Sequence, residues 1–173
     1  LQRTLPISWT DGYGDVLSRV VAAFPDLVSD TVAALERGTA ERRPQAHLPG
    51  SYFPGRQAGD EWLDWSDTSE NLYNKVRAIT HPGPGARTRL AGEDVVVWRA
   101  RYERDWPRYR AVPGAVVGKE ESGVRVKTGD ATLQLLEVAR EGGAAVTPNW
   151  PLGTRLEISP APVPAAPTRA GRR

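Results

Sequence analysis

Residues 51–102 read SYFPGRQAGDEWLDWSDTSENLYNKVRAITHPGPGARTRLAGEDVVVWRARY, and the centre of that run leaves the chain little freedom. Leu72, Val76 and Ile79 recur at helical spacing and form one apolar face. Ser66 or Asp67 caps this helix, with Asp67 and Glu70 at capping-box spacing. His81-Pro82-Gly83-Pro84-Gly85 cannot continue it, because proline lacks the amide hydrogen and holds a fixed φ. Beyond that stop the period changes. Val96, Trp98, Ala100 and Tyr102 alternate with Val97, Arg99 and Arg101, which is the pattern of a half-buried strand with Trp98 on the inner face. A capped helix must therefore hand over to a sheet across one rigid reversal.

Upstream, residues 1–7 read as a strand with Leu5 and Ile7 on one face. Thr10-Asp11-Gly12 signals a turn and a helix entry. Val16, Leu17, Val20, Val21 and Phe24 follow at helical spacing, and Leu27, Val28, Val32 and Leu35 continue the stripe to a stop at Gly38. Pro25 interrupts it, so two short helices or one kinked helix are expected. Residues 39–65 are polar and rich in Pro and Gly, a linker with Tyr52, Phe53, Trp62 and Trp65 as anchors. Strands are expected at 86–90, 94–102, 115–119, 123–127 and 131–138, with a closing strand at 152–158. Five strands on short turns predict a small closed β-barrel of OB-like type, and an α+β chain overall. The Pro/Ala-rich stretch 159–173 is expected to be disordered.

Composition sets the outer limits. The 173 residues suit one domain and part of another. The absence of Met is expected of a piece of a longer protein or a processed product, or of a Leu1 translated literally from an alternative start codon. The absence of Cys removes disulfides, thiolate metal sites and a Cys nucleophile. No apolar run approaches the roughly 18 residues of a membrane span, and no signal peptide opens the chain, so a cytoplasmic protein without a membrane partner is expected. The net charge of +2 is concentrated in Arg169, Arg172 and Arg173. The chain before them holds 20 basic and 21 acidic residues, a balance with no global attraction for nucleic acid.

Residues 98–110, WRARYERDWPRYR, interleave five Arg with two Trp and two Tyr. Trp98, Arg99, Arg101, Trp106 and Arg108 are the candidates for RNA contact, since aromatic rings stack on bases and Arg meets phosphates. The plainer reading is a strand with outward Arg followed by a loop paired through Glu103 and Asp105. Asp60, Glu61, Asp64, Asp67 and Glu70 fit no compact ligand loop, and no metal is expected there. Pro82-Gly83-Pro84-Gly85 lacks the Lys and the strand-to-helix setting of a phosphate loop.

Several segments, taken in order, resemble the methionyl-tRNA formyltransferase family, including its nucleotide-amino-sugar N-formyltransferases. They are Leu1-Gln2 with Pro6-Ile7, Gly38-Thr39-Ala40 with Gln45, Asp64-Trp65-Ser66, Arg77-Ala78, Pro84-Gly85-Ala86, Thr88 and Gly92, then Pro113-Gly114, Gly129-Asp130 and Pro151 with Gly153. The resemblance implies that residues 1–45 end an α/β catalytic domain, 46–81 form a linker and connecting helix, and 82–158 form the OB-like C-terminal domain, before the tail 159–173. It implies formyl transfer from 10-formyltetrahydrofolate, bound by the N-terminal domain, to methionyl-tRNA or to a nucleotide-linked amino sugar. The family's Asn-x-His and Asp-x-Gly groups have no counterpart, so no catalytic residue is assigned. Asp11-Gly12-Tyr13-Gly14-Asp15 lies after its strand rather than before it, and His47-Leu48-Pro49 lacks the preceding Asn. The linker of the amino-sugar members approaches the acceptor, which makes Tyr52 a candidate for stacking on a base and Arg56 for facing a phosphate. That linker and the near-neutral body favour the amino-sugar acceptor. The alternative from a different class is a non-enzymatic OB-like module that binds RNA through residues 98–110.

Overall fold

A computed structural model describes residues 1–42, 44, 50, 52 and 54–157. The linker residues Gln45, His47 and Phe53 and the tail 159–173 lie outside the described residues. The chain forms two compact units, Leu1–Arg56 and Gln57–Arg173.

In the first unit a single helix, α1 (Tyr13–Glu36), carries Pro25 in its interior. Of the two forms expected, two short helices or one helix running through the proline, the chain takes the second: proline costs one backbone bond, and the apolar residues on both sides keep helical spacing. Asp15 accepts the Gly12 amide at 2.9 Å and opens the helix. Gly38 closes it, donating to the Leu35 carbonyl at 3.1 Å. The expected strand at 1–7 is not formed. A strand needs a neighbour for its backbone groups, and here the segment is tied to the helix by side chains instead. Arg19 donates to the Pro6 carbonyl at 2.8 Å, and Arg3 lies 3.9 and 3.8 Å from Asp26 and Asp30.

The second unit contains α2 (Ser69–Ile79), β1 (Ala86–Leu90), β2 (Glu93–Arg101), β3 (Val116–Glu120), β4 (Gly123–Lys127), β5 (Thr132–Arg140) and β6 (Leu156–Glu157). The cap of α2 is Thr68, whose hydroxyl accepts the Asn71 amide at 3.2 Å. The expected Asp67–Glu70 box does not form. Asp67 accepts the Thr68 amide and the Asn71 side chain, and Glu70 lies 3.4 Å from Arg104. Leu72, Tyr73 and Val76 are buried, with Ile79 packed beside them.

After α2 the amides of Gly83 and Gly85 return to the carbonyls of Thr80 and Ile79 at 2.7 and 2.8 Å. Gly85 has φ +79°, and a Cβ there would lie 2.3 Å from Val96 and 2.9 Å from Trp98. Only glycine allows both that conformation and that approach. β1 and β2 are then joined by Ala91 and Gly92, both at positive φ, a two-residue hairpin turn whose twist matches the strands.

The six strands form one antiparallel sheet in the order β3-β4-β5-β2-β1-β6. The sheet curls until its two edges meet. Val116 donates to the Thr154 carbonyl, Gly153 to Val116 and Leu156 to Gly114, at 2.8–2.9 Å. The free half of the β1 edge is taken by residues 61–63: Leu63 donates to Arg87 and Arg87 to Glu61, both at 2.8 Å. The core inside holds Leu63, Trp65, Leu72, Val97, Leu133 and Leu135, all 0–1% exposed.

Candidate nucleic-acid interface

Trp98 does not sit on the inner face. The pairing of β2 with β5 shifts register between Val97 and Arg99 and shifts back before Ala100, so Trp98 on β2 and Leu136 on β5 are each left without a partner across the ladder. Val95 and Val97 point into the core, the bulge absorbs Trp98, and Ala100 and Tyr102 point inward again. Trp98 is left outside, where its indole stacks on His81 with ring centroids 3.8 Å apart and planes at 11°. Thr80 donates to the Trp98 carbonyl at 2.8 Å, which fixes the bulge against the end of α2.

Of the other candidates on this stretch, Arg99, Arg101 and Trp106 are partnered within the chain. Arg99 lies 3.7 Å from Glu137, and Arg101 bonds Glu103 at 2.9 Å. Trp106 is half-buried beneath two guanidiniums, Arg125 at 4.1 Å and Arg101 at 5.9 Å from its ring centroid. Arg108 is exposed. The structure therefore brings Arg101 and Trp106 together and sets Trp98 apart with His81. Sequence reasoning missed Arg125 and Gln134, which come from other strands. In register, Arg101 on β2 faces Gln134 on β5, Gln134 faces Arg125 on β4, and Arg125 faces Gly118 on β3. Outward-facing polar residues at period two on β4 and β5 were the available signal.

Gln134 is 1% exposed although it faces outward, and its amide donates to Glu120 and Ser122 at 2.9 Å each. At the opposite end of β4, Asp130 accepts the amides of Ser69 and Ala131 and the Thr128 hydroxyl, while the Ser69 and Thr128 hydroxyls lie 2.7 Å apart. Burial pushes the Asp130 carboxyl upward, and these hydrogen bonds outweigh it and hold the group below the usual carboxylate range.

The acidic segment is spent on local structure. Asp60 accepts the Gln57 amide, Glu61 the Gly59 amide, and Asp64 the Ser66 amide and hydroxyl, which lower its pKa. Among the described residues no cluster of three or more such side chains is arranged around a common point. Asp11 serves the entry to α1: it bonds Arg19 and the Ser8 amide, and the Arg19 bond leads in lowering its pKa to about 2. In the first unit Tyr52 is 89% exposed, and Arg56 is exposed as well.

The fold has counterparts among known proteins. A family model described as the formyl transferase C-terminal domain matches residues 57–153. The methionyl-tRNA formyltransferase of Bacillus subtilis is 33% identical over 137 residues, covering 79% of this chain and 42% of that protein. The methionyl-tRNA formyltransferase of Carboxydothermus hydrogenoformans is 32% identical over 132 residues, covering 75% and 42%. The chain thus spans less than half the length of these relatives. Among solved structures, HypX from Aquifex aeolicus in complex with tetrahydrofolic acid is 21% identical, with a TM-score of 0.51 over 70% of this chain and 21% of that one. A variant of the same HypX gives 0.60 at 20% identity, covering 84% and 26%. At those identities the likeness is one of fold. With the family model covering most of the second unit and the relatives most of the chain, the chain belongs to the formyltransferase family, and residues 57–153 are its C-terminal domain.

Proposed function

We propose that this chain is the acceptor-side part of a 10-formyltetrahydrofolate-dependent N-formyltransferase that acts on methionyl-tRNA. One observation carries the choice of acceptor. The relatives that align over three-quarters or more of the chain at 32–33% identity are methionyl-tRNA formyltransferases. It supports methionyl-tRNA over the amino sugar that the linker favours. Residues 1–45 are read as the end of the catalytic domain, and the curled sheet as an OB-like module that docks the acceptor.

The described residues do not fit the folate-dependent step. Attack of an amine on a formyl carbon needs donors for the oxyanion and a base for the amine proton. Here His81 is stacked on Trp98, Asn71 is bound to Asp67, and Asn74 accepts from Arg77. These groups serve separate local contacts, so no step of the transfer is assigned to this chain. The folate and the catalytic Asn, His and Asp belong to the preceding domain in this reading.

The test compares acceptors. The protein that carries this segment should transfer a formyl group to methionyl-tRNA, and the segment alone should bind tRNA without transfer. Turnover with a nucleotide-linked amino sugar and none with methionyl-tRNA would exchange the acceptor. Salt-dependent RNA binding with no transfer to either would leave the non-enzymatic RNA module.

A further inference from the structure

The row Arg101–Gln134–Arg125–Gly118 crosses four strands on the outer face of the sheet. Gln134 and Arg125 are covered by the chain itself, while Arg101 at the end of the row stays exposed. After β2 the loop 103–113 turns back, and Trp106 lies under the guanidiniums of Arg125 and Arg101. Each of these two groups also holds a carboxylate: Arg125 bonds Glu120, and Arg101 bonds Glu103. Gln134 helps to place Glu120 from beneath. Gly118 leaves room for the Arg125 stem, since a Cβ there would stand 3.2 Å from the Arg125 Cβ and 3.8 Å from its Cδ.

Each guanidinium therefore has one aromatic face and one oxyanion as ligands. An unpaired nucleotide offers the same two ligands, a base and a phosphate. The loop's described backbone hydrogen bonds are local, Trp106 to Glu103 and Ala115 to Val112, so its hold on the sheet is through side chains. A loop held in this way can be exchanged for a ligand that brings the same groups.

We propose that this row is a contact site for unpaired RNA, closed by its own loop, in which Trp106 stands in for a base and Glu103 and Glu120 for phosphates. The inference rests on the reading of the acceptor as an RNA. The loop then lowers the affinity for any RNA that cannot displace it, because only the open fraction binds. An acceptor already held elsewhere on the full protein displaces the loop at high local concentration.

The experiment measures binding of the full chain to a fluorescein-labelled single-stranded oligouridylate across a salt series. Trp106→Ala should bind roughly threefold tighter or better than the unmodified chain, because the closed fraction is removed. Its slope of log affinity against log salt should steepen by about 1.4, the value for two further phosphate contacts on a single strand. Adding Arg125→Ala should abolish the gain. Glu103→Gln, which leaves the packing of Trp106 in place, should also tighten binding, and Glu121→Gln, an equal charge change at an exposed position off the row, should not. Weaker binding by Trp106→Ala and no gain by Glu103→Gln, with the unmodified chain still binding, would overturn the closure and leave the RNA reading standing. No binding by any of these proteins at low salt would overturn both.

Discussion

The Asp130 carboxylate accepts the backbone amide of Ser69, sixty-one residues away, at 2.8 Å. It thereby satisfies one of the orphan donors at the start of α2 and binds that helix to the β4–β5 turn. Its negative charge also sits favourably against the helix dipole. Asp130→Ala should destabilise the fold by about 1.5–3 kcal/mol, the range for hydrogen bonds to a charged group. The pH dependence follows from the lowered pKa. A carboxyl that is more acidic folded than unfolded contributes stability that is present above the unfolded value of about 3.9 and lost as pH falls through the folded one. Urea melts of the unmodified chain and Asp130→Asn should therefore differ by a constant amount at neutral pH and converge below about pH 4. A gap that widened in acid would show that the carboxylate is not the stabilising form.

The same turn supplies a second test. A Cβ on Gly129 would stand 2.0 Å from the Ser66 carbonyl oxygen, so the strands and the α2 entry pack through bare backbone there. Gly129→Ala should cost about 1–3 kcal/mol, because backbone on both sides must shift. Gly92 has open space around it but φ +83°. Gly92→Ala meets conformational strain alone, about 1–2 kcal/mol at most. Thermal melts should rank Gly129→Ala as the worse, with loss of the Asp130 contribution to its acid dependence. Equal melting temperatures would mean that the turn gives way without disturbing α2.

Trp65 and Thr88 form a buried pair, both 0% exposed, with the indole Nε1 donating to the hydroxyl at 2.9 Å. Thr88→Val should cost about 1–3 kcal/mol, since the indole N–H then has no acceptor. In a Trp65→Phe background the same substitution should cost less, because no donor is stranded. The coupling from the double-mutant cycle should be at least about 0.5 kcal/mol. Additive losses would show that packing, not the hydrogen bond, sets the pair's contribution.

What the sequence disclosed follows from how local each signal is. The face of α2, the stop at 81–85 and the spans of β1 to β5 were legible because helical spacing, proline and alternation are local, whereas the closing strand expected at 152–158 forms only at Leu156–Glu157. Trp98 was misplaced because a bulge changes parity, and the bulge exists only in the pairing of β2 with β5. The cap moved to Thr68 because Asp67 and Glu70 were drawn to other partners, Glu70 to Arg104 in a loop after β2. The strand at 1–7 failed because no described residue of its own unit pairs with it. Arg125 entered the candidate site only through cross-strand register with Arg101 by way of Gln134, a relation no window of sequence contains.

The linker candidates can now be separated by a single comparison. Tyr52 is 89% exposed, so in this structure its ring has little packing to lose. Tyr52→Ala and Arg56→Ala should each shift stability by no more than about 0.5 kcal/mol, as surface substitutions do. If they serve the acceptor, the losses should appear in acceptor binding by the protein that carries the catalytic domain. A stacked ring is worth about 1–3 kcal/mol per base. A charge-assisted phosphate contact is worth roughly 1.5–3 kcal/mol. Folate binding should be unchanged in both variants. Melting temperature and acceptor affinity measured on the same two proteins decide between the roles. Unchanged affinity with a melting temperature lowered most by Tyr52→Ala would assign both residues to pinning the linker and remove them from the acceptor site.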